Sequence, residues 1–132
     1  MAAITLTIRQ HKTTASIATV RGHQLVMDRP EAKGGNNIGP MGGEAMLSGL
    51  GGCFMSNLRA AIAAREDADV DDIVLTITAK LAENSSRFSD VHIRVTAESD
   101  LNELRKLVTI AERACIAANT LRGSVDLTFS VG

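Results

Sequence analysis

The sequence predicts an α+β fold with mainly antiparallel strand pairing, on three observations. Period-two alternation recurs at residues 4–8, 16–20 and 24–28, and again at 73–81, 91–95 and 125–131, the pattern of strands with one buried face. Two stretches, residues 44–65 and those after Asp100, instead space their apolar residues three and four apart, as helices do. The resulting order is three strands, a helix, two strands, a helix and a strand. Strands and helices do not alternate strictly, so antiparallel sheets are expected rather than a parallel βαβ arrangement.

In chain order, residues 4–8 (ITLTI) make the first strand, residues 11–14 a turn, and residues 16–20 its return. Arg21-Gly22-His23 reads as a second turn, and the third strand, residues 24–28, ends at Pro30. Residues 31–43 shift to Gly, Asn and Pro, a loop long enough to reposition the chain or carry function. In the first helix Met46, Leu47, Leu50, Phe54 and Leu58 form the apolar face. Gly49, Gly51 and Gly52 lie inside it, and each costs a helix about 1 kcal/mol relative to alanine, so tertiary packing must compensate. Gly49, Gly52, Ser56 and Ala60 share a stripe against which a second backbone is expected to lie. The acidic run from Glu66 to Asp72 is a solvated turn.

Ile73, Leu75, Ile77 and Ala79 face one side of the next strand, opposite Thr76, Thr78 and Lys80. After a polar turn over residues 83–90, Val91, Ile93 and Val95 alternate with His92 and Arg94 in an antiparallel partner, which makes His92 a solvated strand residue. Asp100 caps the second helix, with Glu103 three residues on, and Leu101, Leu104, Val108, Ala111 and Cys115 fall on one side of it. Val125, Leu127, Phe129 and Val131 alternate in a last strand.

A chain of 132 residues, 45% hydrophobic, fits one domain spanning residues 1–132. It has no Trp or Tyr and three Phe, so its core is aliphatic and stacking on bases or sugars is not expected. Fourteen basic against fifteen acidic residues leave no basic run to neutralise phosphates, which argues against nucleic acid as a partner. Without an apolar leader or a membrane-length apolar segment, a cytoplasmic protein is expected. Cys53, Cys115, His11, His23 and His92 show no metal-ligand spacing, and neither a metal nor a bound organic cofactor is expected. A largely apolar helix in so short a chain needs cover, and a dimer is one way to supply it.

Cys53 and Cys115 each lie on the apolar side of a predicted helix. Two readings are open. Each thiol is a small core hydrophobe, or the helices bring the two together, one sulfur attacking an oxidant and the other resolving the sulfenic acid as a disulfide. The second reading requires Cα atoms within about 7 Å.

The segments GPMGGEAMLSGLGGCF and AERACIAANTLRGSVDLTF resemble the OsmC/Ohr family of thiol-dependent hydroperoxide reductases. The anchors are Gly39-Pro40, Glu44, Leu50-Gly51-Gly52-Cys53, Glu112, Cys115, Asn119-Thr120-Leu121 and Gly123-Ser124-Val125, and the likeness covers most of the chain. It implies an OsmC-like fold of antiparallel sheets with two central helices in an intertwined homodimer. It also implies an attacking thiol at Cys53, a resolving thiol at Cys115, organic hydroperoxide as substrate and an external dithiol as reductant.

Ohr-type members activate the thiol with an arginine held by a glutamate ten residues before the cysteine; here Glu44 stands nine before Cys53. In one straight helix that offset puts Glu44 on roughly the opposite side from Cys53 and about 13 Å along it. Glu44 therefore orients a basic group or caps the helix from the loop, or simply favours the helix dipole in the first turn. Arg9, Lys12, Arg21, Arg59 and Arg113 are the candidate cations, none in a recognisable motif, and surface salt bridges are the expectation for each. Ile116 stands where related proteins commonly have proline, which leaves the second helix free to continue past Cys115. Met46, Leu50, Phe54 and Met55 are candidate walls of an apolar pocket. The alternative function is a non-catalytic dimer of the same fold that binds a small hydrophobic ligand between its helices, with structural cysteines.

Overall fold

The computed structural model describes residues 2–132. It is built of three strands, a 3-10 turn, a long helix, a two-stranded hairpin and two further helices. Residues 1–48 and 49–132 form two compact units.

The first unit holds an antiparallel meander of β1 (Thr7–His11), β2 (Ala15–Val20) and β3 (His23–Met27). Val20 pairs with His23 across Arg21-Gly22, both at positive φ (49° and 83°), the two-residue turn whose twist suits a hairpin. The first strand is displaced from the expected residues 4–8. Its ladder starts at Thr7 opposite Thr19, and Ile4, at 86% exposure, precedes it. The alternation was real, but pairing is set by the turn at Lys12, whose φ is 53°.

Beyond β3 the chain is tied to one carboxylate. Asp28, 5% exposed, accepts from Thr14 Oγ1 (2.8 Å) and from the backbone N–H groups of Arg29 (2.7 Å), Asn36 (3.1 Å) and Ile38 (3.4 Å). Its own N–H donates to the Pro40 carbonyl at 2.9 Å. Burial pushes the Asp28 pKa up, but these four donors favour the ionised form more strongly and hold it below the ordinary value. Gly39 lies so close to the Val26 carbonyl that a Cβ there would collide with backbone. The Gly-rich loop is thus an ordered strap, and residues 31–33 form its 3-10 turn.

The long helix α1 (Gly42–Ala63) agrees with the helical spacing. In the second unit its buried residues Leu50, Phe54, Leu58 and Ala61 pack with Leu107, Ala111 and Cys115. The half-buried Ile73, Leu75, Ile93 and Val95 of the hairpin cover that cluster. The hairpin joins β4 (Asp71–Leu81) to β5 (Phe88–Glu98), antiparallel, with Thr78 opposite His92 on the exposed side as the alternation predicts. The close-approach glycine is not on the expected stripe. Gly49 and Gly52 have open space where a Cβ would stand, whereas one on Gly51 would lie 2.7 Å from Ile77 Cδ1.

Helix α2 (Leu101–Ala114) begins as expected, with the Asp100 carboxylate accepting the Glu103 N–H at 3.0 Å. Its buried stripe is Leu104, Leu107 and Ala111; Leu101, expected on that face, is exposed. The helix does not run on past Cys115. Cys115 (φ −76°, ψ 109°) breaks it, and a short α3 (Ile116–Arg122) follows. The break forms without proline, and two side-chain bonds span it. Asn119 Nδ2 donates to the Arg113 carbonyl at 3.1 Å, and Arg122 pairs with Glu112 at 3.3 Å.

The expected C-terminal strand does not form among the described residues. Residues 124–132 pair with no strand among the described residues, and Val125, Leu127, Phe129 and Val131 are all exposed, Phe129 at 91%. Alternation marks a chain able to lie on a sheet, but a strand also needs an edge to bond to. No helix of the described residues is long and apolar enough to cross a membrane.

Candidate functional site: a thiol pair at a helix break

Cys53 lies midway along α1 and Cys115 at the α2–α3 break, and their sulfurs are 3.4 Å apart. Both are free thiols. The sulfurs meet, as the second reading requires, while Cys115 also belongs to the buried core and Cys53 packs against it, as the first describes. From 3.4 Å, a covalent S–S bond of about 2.05 Å is one short approach away.

The break in the helix decides how the sulfurs differ. Because the backbone leaves helical geometry at Cys115, the first N–H groups of α3 have no carbonyl behind them and turn to the thiols. The Ala117 N–H lowers the pKa of Cys53 most, and it is helped by the Cys115 S–H and the Ile116 N–H against the opposing effect of burial. Cys115 is fully buried and accepts the Ala118 N–H at 3.5 Å. Burial pushes its pKa up, and its bond and proximity to Cys53 push the same way, against the Ala118 and Ala117 N–H groups. The pair is therefore sorted. Cys53, half-exposed, ionises more readily, and Cys115 keeps its proton and donates it in a hydrogen bond to the Cys53 sulfur.

Glu44 stands in the first turn of α1, where its Oε1 accepts the Met41 N–H at 2.8 Å. The Met41 carbonyl accepts the Ala45 N–H at 2.8 Å, so Glu44 closes the helix start in the manner of a capping box. None of the five candidate cations forms the ion pair expected of it. The one pair within 4.0 Å among the described residues joins Arg122 to Glu112. Leu50 and Phe54, candidate pocket walls, belong to the core, and Met46 is exposed. A separate cleft of about 500 Å³ in the first unit is lined by Thr14, Asp28, Arg29, Lys33 and Met41 among others.

Sequence reasoning missed the donors. Ile116, Ala117 and Ala118 act through backbone N–H groups, which no side-chain pattern announces. Asn57 was also missed. Its Nδ2 donates to the Cys53 carbonyl at 2.9 Å and stands 3.9 Å from the Cys53 sulfur. The available signal was a polar amide one helical turn after the cysteine, in a stretch otherwise apolar or small.

Comparison with known proteins agrees with this architecture. None of the curated proteins matches the sequence. Solved structures do. An OsmC-like protein from Mycoplasma pneumoniae superposes with a TM-score of 0.74 at 19% identity, over 92% of this chain and 89% of that one. An organic hydroperoxide resistance protein OsmC from Legionella pneumophila gives 0.66 at 22% identity, over 96% and 95%. An organic hydroperoxide resistance protein from Elizabethkingia anophelis gives 0.65 at 19% identity, over 93% and 90%. At these identities the likeness establishes the fold, which is the OsmC-like α+β fold the sequence predicts. The profile of the family described as OsmC-like protein matches residues 34–130, most of the chain, so the protein belongs to the OsmC-like family.

Proposed function

We propose that the protein reduces organic hydroperoxides with the Cys53–Cys115 pair, as a peroxide-defence enzyme. The carrying observation is the 3.4 Å sulfur separation, in surroundings that lower the pKa of one thiol and raise that of the other. The hydroperoxide-resistance names of two structural relatives support the same reading.

The Cys53 thiolate attacks the terminal oxygen of ROOH. The O–O bond breaks, the alkoxide takes the proton of the transferred oxygen and leaves as ROH, and the Cys53 sulfenate gains a proton from solvent to become a sulfenic acid. The Cys115 sulfur then attacks the Cys53 sulfur, expelling the oxygen as water and forming the disulfide. An external dithiol, of the kind a reducing cytoplasm maintains, returns both thiols. In this scheme Glu44 contributes by fixing the start of α1 rather than by acid–base chemistry. The chain works as a homodimer, whose second copy covers the apolar residues of the 124–132 tail; their exposure supports this.

Treatment with an organic hydroperoxide should abolish both free thiols with the mass loss of two hydrogens, and Cys53→Ser should prevent it. Persistence of two free thiols under excess hydroperoxide would sink the proposal.

A further inference from the structure

We propose that Asn57 is a catalytic residue of this thiol site, its carboxamide donating a hydrogen bond to the oxygen that passes from hydroperoxide to Cys53. The inference rests on the hydroperoxide reading above.

A peroxide-attacking thiolate gains from a donor aimed at the oxygen it acquires, because that oxygen is left carrying the charge, as a sulfenate, when its own proton passes to the departing alkoxide. The side-chain N–H donor that the structure places at the Cys53 sulfur is Asn57. Asparagine is a poor choice for a helix interior on propensity alone, since its side chain competes for backbone bonds. Here that competition serves to fix it. One amide hydrogen is held by the Cys53 carbonyl at 2.9 Å, which also settles which end of the amide is nitrogen, because a carbonyl can only accept. The same nitrogen stands 3.9 Å from the Cys53 sulfur, which leaves its second hydrogen for that side.

The length of that second approach matters. At 3.9 Å it is long for a bond to the sulfur itself. An oxygen bonded to the sulfur and bent toward the amide would meet Nδ2 at about 2.9 Å, the preferred N–H···O distance. The amide is thus better placed for the oxidised or oxidising sulfur than for the resting thiol, the differential interaction that accelerates a step. The balance is unchanged from the proposed reaction. Sulfur supplies the electron pair, the O–O bond breaks, the alkoxide takes the proton of the transferred oxygen and leaves, and Asn57 donates to the resulting sulfenate oxygen without giving up its own proton.

The test compares two electrophiles at Cys53 in a Cys115→Ser background, where the sulfenic acid cannot be resolved internally. Rates with cumene hydroperoxide and with iodoacetamide are measured across pH for Asn57, Asn57→Leu and Asn57→Asp, with thermal unfolding and circular dichroism showing that each variant folds. Asn57→Asp keeps the size of the side chain and removes the donor, so the test survives if the leucine variant does not fold. The hydroperoxide rate is expected to fall roughly 10- to 100-fold, the effect of losing one hydrogen bond to developing charge. The iodoacetamide rate, compared at equal thiolate fraction, is expected to change by less than about threefold, since alkylation transfers no oxygen. Equal losses with both reagents, or an unchanged hydroperoxide rate, would overturn the inference. If the Asn57 parent is alkylated but inert to hydroperoxide, the hydroperoxide reading itself fails, and this inference falls with it.

Discussion

Cys53 and Cys115 carry the same functional group and differ only in what surrounds each sulfur. The Ala117 N–H, the Cys115 S–H and the Ile116 N–H favour a charged Cys53, whereas burial keeps Cys115 neutral. Alkylation follows the thiolate, so a lowered pKa moves the onset of reaction to lower pH and a raised one to higher pH. Mass spectrometry of iodoacetamide-labelled protein should therefore find Cys53 modified at a pH where Cys115 is untouched. Cys115→Ala, which removes the S–H donor, should move the Cys53 profile up in pH; an unmoved profile would mean that the Cys115 thiol contributes nothing. At this scale the sequence identified the two cysteines and Glu44 as candidates, because residue type and motif carry that information. It did not reveal the activating donors, which belong to backbone that becomes available only where the helix breaks.

Helix α1 was legible as a helix, and its buried face at Leu50, Phe54 and Leu58 could be read from spacing. Which glycine lets a neighbour come close could not. Helical periodicity groups residues by face, and Gly49 and Gly52 do share one, but the neighbour lies against Gly51 through Ile77 Cδ1. This contact sets up a double-mutant test. Alanine at position 51 gains about 1 kcal/mol of helix propensity, but its methyl would stand 2.7 Å from that Cδ1 and must displace it. Ile77→Val deletes the atom. Gly51→Ala should be close to neutral in the natural background and stabilising by about 1 kcal/mol in Ile77→Val, a coupling measurable by urea unfolding. Additive effects would show that the Gly51–Ile77 approach has no energetic weight.

For the whole molecule, the tail over residues 124–132 matters most. Its apolar residues alternate as a strand's would, yet among the described residues of one chain they meet no sheet edge and stay exposed. If a second copy supplies the cover, removing the tail should weaken the dimer. Sedimentation of the full chain is expected to give a dimer, and deletion of residues 124–132 to shift it toward monomer at micromolar concentration. A dimer equally stable without the tail would place the interface elsewhere.

By itself the sequence determined the α+β class, the meander, the long helix, the hairpin with His92 on its wet side, and the capped start of α2 at Asp100. Each follows from local periodicity or from a cap and its neighbours within one turn, interactions that short stretches of chain specify alone. Only the tertiary structure decided that the sulfurs meet, whereas the helix break at Cys115 and the approach of Asn57 to Cys53 are local features that periodicity alone does not reveal. The meeting of the sulfurs depends on the 62-residue reach from Cys53 to Cys115. Nothing in the local pattern encodes such a distance, and it becomes fixed only when the core between the helices closes.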